Sequence, residues 1–208
     1  MSPLFEYRAV IDGIYGVYLD ATHGFSLALS RIGEVQRENL KLMPDMTQEK
    51  LDQASYVYGM GDPNLPGARE LHTCTQAEIK RRNAKGGPNY AIIANLCVVL
   101  LYQYWEDQFR GEIAQVLFGI NKDDLKSDLL GDLRLIRNAI VHHRGVATAE
   151  ISKCKVLHWF SPGDTVVIGE ARFDEIILGL KRVADDLERK SKTSARGEGA
   201  THKPARSW

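Results

Sequence analysis

The chain has no excess of charge of either sign. Lys and Arg number 27, Asp and Glu 27, among 208 residues. That balance excludes a protein held to nucleic acid or acidic membranes by bulk charge, so any such attraction must be local. Cysteine is scarce. Cys74, Cys97 and Cys154 lie far apart, form no CxxC pair and have no histidines at zinc-finger spacing. A disulfide framework and a structural zinc site are excluded, and a reduced, cytoplasmic setting is expected. Long apolar runs are missing too. The longest, residues 91–105, is interrupted by Asn95 and Gln103 and is short for a membrane span, so it reads as a buried core helix. The first ten residues, MSPLFEYRAV, lack the basic flank and apolar run of a signal peptide. Neither a cofactor nor a metal ion is expected, and no membrane partner.

What is present is helical periodicity. Ile11, Ile14, Tyr15, Tyr18 and Leu19 recur at helical spacing, and residues 4–43 read as helix, either continuous or broken into two near Thr22-His23-Gly24, and ended by Pro44. Thr47 is placed to cap a short helix over 48–58. Residues 59–75 have the Gly/Pro content of a surface loop. Their GMGDPNLPG lacks the Gly-Lys-Ser/Thr ending of a phosphate loop. Lys80, Arg81, Arg82 and Lys85 then make a basic cluster, read as a solvated helix face with an RNA-contacting patch as the alternative. Pro88 opens the most apolar helix, over 88–118 with Gly119 as its stop, and a further helix is expected over 121–143, capped by Asn121 and ended by Gly145.

Beyond residue 153 the pattern changes. Residues 155–160 and 165–168 are rich in strand formers and flank the turn Ser161-Pro162-Gly163-Asp164, which predicts a hairpin. A last amphipathic helix spans 173–187, and the polar tail 191–208 reads as disordered. The expected architecture is mainly α: one helical-bundle domain over 1–190 with a small β-hairpin near the C-terminus. Residues 1–75 form a helical extension, 88–145 the core, and 155–188 the hairpin plus helix.

The helix expected over 121–143 carries the chemistry. Leu125, Leu129, Leu133, Ile136 and Ile140 fall within an arc of about 80° and define its core stripe. Asn138 and His142, four apart, share a face roughly opposite, bordered by Arg134. Arg137 sits at the edge of the stripe, where its stem can lie on apolar surface while its guanidinium reaches outward. His143 falls back on the core arc. Arg137 and His142 can converge on one phosphate. An imidazole can exchange a proton with a ribose 2′-hydroxyl, and a guanidinium can match charge developing on phosphate. Asn138 can orient the histidine or the substrate. Such a set needs no metal and is confined to RNA by the 2′-hydroxyl. Arginines and histidines also occur on exposed helix faces, and terminal histidines suit the helix dipole. On the preceding helix the stripe of Ile92, Leu96, Val99 and Leu100 continues into Gln103, Glu106, Asp107 and Arg110. Polar groups inside an apolar face need partners, so Glu106 or Asp107 is expected to face Arg137 or His142, unless they serve an internal salt bridge or the helix bends.

Arg137-Asn138-Ala139-Ile140-Val141-His142, preceded by the helix Asp128-Leu129-Leu130-Gly131-Asp132-Leu133-Arg134-Leu135-Ile136, resembles the HEPN superfamily, whose signature is an arginine, a polar residue and a histidine four to six positions after the arginine. His143 also satisfies that spacing, and residues 104–110 look like the family's companion helix. The resemblance covers residues 88–145. It implies an α-helical homodimer with two motif helices facing across a cleft. It further implies a metal-independent endoribonuclease acting on RNA in toxin–antitoxin, phage-defence or RNA-processing roles, alongside an antitoxin or other protein partner. Arg137, Asn138 and His142 are then catalytic, and Glu106, Arg110 and His143 supporting. Some members do not cut RNA, so the resemblance also admits a helical module that binds a partner protein or a nucleotide.

Overall fold

The computed structural model describes residues 2–62 and 65–198, the side chains of 194–198 excepted. The architecture is mainly α, with one two-stranded antiparallel sheet. The chain forms two compact units, Met1–Tyr18 with Ile93–Trp208, and Leu19–Ile92. Both boundaries fall inside helices, where composition carries no linker signal. No single helix among the described residues is long and apolar enough to cross a membrane.

Helix α1 (Pro3–Leu42) is continuous. Of the two readings the continuous one holds, because an isolated glycine weakens a helix by only about 1 kcal/mol. The polar residues around it fold back onto the helix: the Thr22 hydroxyl donates to Leu19 O at 3.0 Å and the Ser26 hydroxyl to Thr22 O at 3.2 Å.

In the unit Leu19–Ile92, α2 (Gln48–Gln53) is capped by Thr47, whose side chain accepts from Lys50 N. It stops well short of the expected Tyr58, because Tyr56, Val57 and Tyr58 enter strand β1 (Ser55–Met60). That strand pairs with β2 (Arg69–Thr75). Of the segment 59–75 read as a surface loop, Gly59 and Met60 end β1 and Arg69–Thr75 are β2, so only the stretch between them connects the hairpin. Thr75 caps α3 (Gln76–Asn83) by accepting from Glu78 N at 3.1 Å. The buried Gln36 amide gathers these pieces. It donates to Asp52 and Gln76 and accepts from Gln48 and Lys80. Lys80 also pairs with Asp52 at 2.7 Å. Gly87 follows, where a Cβ would stand 2.6 Å from Arg81 O and 2.8 Å from Arg82 O and Ala84 O. Only glycine fits there.

In the other unit the start of α1 packs with α4 (Pro88–Tyr104, from Ile93 on), a π turn over Trp105–Phe109, α5 (Arg110–Ile113), a second π turn over Ala114–Phe118, α6 (Asp128–His142) and α7 (Glu170–Glu198). Tyr7 sits 5.3 Å from both Trp105 and Phe109, and Tyr18 sits 4.4 Å from Phe173, ring centroid to centroid. The predicted core stripe of α4 is wrong. Ile92, Leu96 and Leu100 are 57%, 54% and 48% exposed, whereas Ala94, Cys97, Val98 and Leu101 are buried. This helix is apolar all round, so periodicity does not say which side faces in. The π turns then rephase the helix by one residue each, and the arc extrapolated through Gln103 to Arg110 does not survive them.

The hairpin expected over 155–168 does not form; the one sheet lies mid-chain. Within 155–169 the described backbone makes a single bridge, Thr165 with Val146. Two side chains take the groups a ladder would have used. Asp132, 2% exposed, accepts from Lys155 N at 2.9 and 3.0 Å, Val156 N at 2.7 Å and Leu157 N at 2.8 Å. Asn95 donates to Val166 O at 3.1 Å and accepts from Ile168 N at 3.3 Å. The expected helix over 121–143 also divides, into a 3-10 turn (Lys122–Asp124) and α6, and Asn121 makes no side-chain cap. The last helix is longer than expected in both directions. It is still helical at 191–198, and the remainder of the expected disordered tail, 199–208, lies outside the described residues.

Asp132 is the testable element of this packing. Asp132→Ala strands three backbone N–H groups and should cost about 2–4 kcal/mol, read as a lower urea midpoint. A loss below about 0.5 kcal/mol would show that the segment 155–157 does not depend on it.

Candidate active site

Helix α6 places the motif as its apolar stripe requires. Leu129, Leu133, Ile136 and Ala139 are buried, and Leu125, just before the helix, is buried with them. Asn138 is left half-buried and His142 exposed on the other side. The helix closes with backbone N–H groups of His143 and Gly145 both donating to Ala139 O, at 3.2 and 2.9 Å. Two left-handed residues, Arg144 (φ 55°) and Gly145 (φ 76°), turn the chain away. A left-handed arginine costs about 1–2 kcal/mol, and it sits directly beyond the motif. Because the helix ends at His142, His143 leaves the helical arc. Its side chain is exposed, not turned to the core as its phase predicted.

Arg137, Asn138 and His142 come together. Arg137 Nη1 lies 2.7 Å from His142 Nε2 and donates to Asn138 Oδ1 at 3.2 Å. A guanidinium has no lone pair to offer, so Nε2 must be the acceptor. That fixes the contact as one with a neutral imidazole carrying its proton on Nδ1. The Nε2 lone pair that would serve as a base is held by the group that would bind phosphate. Asn138 touches the arginine and not the histidine, so it orients the guanidinium. Arg137 Nη2 donates to Gln103 Oε1 at 3.5 Å, and Gln103 in turn donates to Asp107. Arg137 Nε is buried with no partner.

The acidic residues divide differently from the expectation. Asp107 reaches Arg137 only through Gln103. Glu106 does not face Arg137 or His142. It pairs with Arg110 at 3.1 Å and with Lys122 at 2.8 Å, and Arg110 Nε also donates to Leu125 O at 3.1 Å. Burial raises the Glu106 carboxyl pKa, but the hydrogen bonds from Lys122 and Arg110 outweigh it and leave it below the ordinary glutamate value. Glu106 and Arg110 thus form an internal salt bridge from the π turn to the start of α5, apart from the motif. Gln103, in the sequence only a polar interruption of an apolar face, is the neighbour that contacts Arg137; its place four residues before Asp107 was the available signal.

Among the described residues no group of three or more His, Cys, Asp or Glu is arranged to hold a metal ion. The three cysteines are free and buried. Burial, then the charge of Asp132, pushes the Cys154 thiol up to about 11, and burial pushes Cys97 to about 11, which makes both poor nucleophiles. Of the basic cluster on α3, Lys80 is committed to Asp52, and Arg82 to the Tyr58 hydroxyl and His72.

The tautomer is directly observable. Nitrogen-15 spectra of the histidine rings should show His142 protonated on Nδ1 at a pH where it is neutral, with Arg137→Ala shifting the population toward Nε2–H. A dominant Nε2–H form in the unsubstituted chain would contradict the arrangement.

No protein-family model matches the chain, and comparison with curated proteins and with solved structures finds no match either.

Proposed function

We propose that this protein is a metal-independent endoribonuclease of HEPN type that works as a homodimer. The observation that carries the reading is the 2.7 Å contact between Arg137 and the unprotonated Nε2 of His142, on the exposed end of α6. Asn138 and Gln103 hold the guanidinium from one side, and its buried Nε has no acceptor. A phosphodiester offers the guanidinium better, charged acceptors than an imidazole does. When phosphate draws Arg137 away, the Nε2 lone pair is released beside the same phosphate. Nε2 then takes the proton of the neighbouring ribose 2′-hydroxyl. The 2′-oxygen bonds to phosphorus as the bond to the 5′-oxygen breaks, and the imidazolium returns its proton to that leaving oxygen. Arg137 meets the charge that builds on the phosphoryl oxygens. Asp107 and Gln103 act on position alone.

The homodimer part of the proposal is supported by exposed apolar side chains near the site. Leu96, Leu100 and Val141 are exposed on the two helices that carry Gln103 and His142. An apolar strip of that kind is what the pairing of two α6 helices would cover.

Single-stranded oligoribonucleotides should be cut in EDTA, and the all-deoxy strand should not. Arg137→Ala and His142→Ala should each lower the rate at least about 100-fold, with circular dichroism unchanged. Asn138→Ala should lose less, since it only steadies the guanidinium. Cleavage that EDTA abolishes, or that survives both alanine substitutions, rules this reading out. The alternative of a non-cutting module binding a partner protein or nucleotide would then stand.

A further inference from the structure

A cavity of about 470 Å³ opens beside the same pair of helices as the candidate site, along residues 128–135 of α6. Its volume lies in the range of small-ligand pockets, roughly 300–1,000 Å³. The floor is apolar and aromatic: Tyr102, Trp105, Leu130 and Leu135. The π turn Trp105–Phe109 forms part of its wall, and such turns gather at functional sites.

Around the floor stand five cations, Arg110, Lys126, Arg134, Lys153 and Lys155, and three carboxylates, Glu106, Asp128 and Asp132. Each carboxylate is already committed. Glu106 holds Arg110 and Lys122, Asp128 holds Lys155 at 2.8 Å, and Asp132 accepts the backbone N–H groups of residues 155–157. Lys153 pairs with Glu150. Arg134 and Lys126 are left, exposed at the pocket, with neither a hydrogen bond nor an ion pair among the described residues. A concave apolar floor beside two uncommitted cations suits a flat aromatic base joined to a phosphate. The cations favour an anion, and the floor takes a ring that a carboxylate side chain of an acidic peptide does not have.

Position ties the pocket to the cutting site. Arg134 lies one helical turn before Asn138, so about 6 Å along the axis separates the two and about 40° of rotation. Tyr102 likewise adjoins Gln103, which contacts Arg137. We infer that this pocket is a second nucleotide subsite for the strand cut at Arg137 and His142: Arg134 and Lys126 hold a neighbouring phosphate, and its base rests on Tyr102, Trp105, Leu130 and Leu135. The assignment rests on reading α6 as an RNA-cutting helix.

The test is equilibrium binding of a fluorescein-labelled eight-nucleotide RNA to the full chain carrying His142→Ala, so that the strand stays intact, across a salt series. Adding Arg134→Gln and Lys126→Gln together should weaken binding at least about tenfold. It should also flatten the dependence of log affinity on log salt by about 1.4, since each cation that neutralises a phosphate of a single strand adds about 0.7 to that slope. Both side chains are exposed and unpaired, so the fold should be unaffected by circular dichroism. An unchanged affinity and salt slope overturns the subsite. So does retention of AMP, but not of RNA, by the parent chain, since the pocket would then serve a free mononucleotide. If the unsubstituted chain cuts no RNA yet the double substitution still weakens binding and flattens the slope, the nuclease reading falls and the strand-binding subsite stands.

Discussion

A carboxylate buried to 2% exposure is costly unless its lone pairs are filled, and Asp132 fills them from the backbone of residues 155–157. That single requirement shapes much of the unit that carries the motif. It draws the segment after the 3-10 turn at Ala149–Lys153 against α6 and removes the donors that would have begun a strand. It also places Lys153 and Lys155 at the mouth of the cavity. Asn95 does the same from α4, satisfying Val166 and Ile168. The segment is therefore fixed by two side chains and by backbone hydrogen bonds to residues 145–147, in a stretch whose composition favours a hairpin.

The same economy explains which features could be read from the sequence. Helix α6 was legible because one stripe of leucine and isoleucine faces polar residues across the axis, and the phases of Arg137, Asn138 and His142 follow from 3.6 residues per turn. The caps at Thr47, Gly119 and Gly145 were legible because local chemistry decides them. Helix α4 was not, since it is apolar on every side and its buried face is the one with the smaller residues Ala94, Cys97 and Val98. Nor were the two π turns, which follow from packing and have no composition of their own. The hairpin β1–β2 was missed because Gly59, Gly61, Pro66 and Gly67 give the whole stretch the composition of a loop while Tyr56, Val57 and Tyr58 continue a helical pattern. The strand formers at 155–168 misled for the opposite reason: propensity is overridden when a buried side chain claims the backbone donors.

At the motif the structure adds what spacing could not. Spacing allows Arg137 and His142 to meet; the 2.7 Å contact pairs them with each other. Asn138 belongs to the arginine, and the acidic support comes through Gln103 and Asp107 instead of Glu106. Glu106 and Arg110 line the cavity instead, from the π turn and the start of α5 that follow α4. The reading that results is a resting site which substrate would open, next to a pocket able to take the adjoining nucleotide.

The most direct check on that chemistry is the ends of the fragments it leaves. Attack by the 2′-hydroxyl can only produce a 2′,3′-cyclic phosphate on one fragment and a 5′-hydroxyl on the other, which mass spectrometry of a cut oligoribonucleotide resolves. Those ends, formed in EDTA, are the result the account predicts. A 3′-hydroxyl with a 5′-phosphate would mean that water, not the ribose, attacks phosphorus, and the role given to His142 would be contradicted.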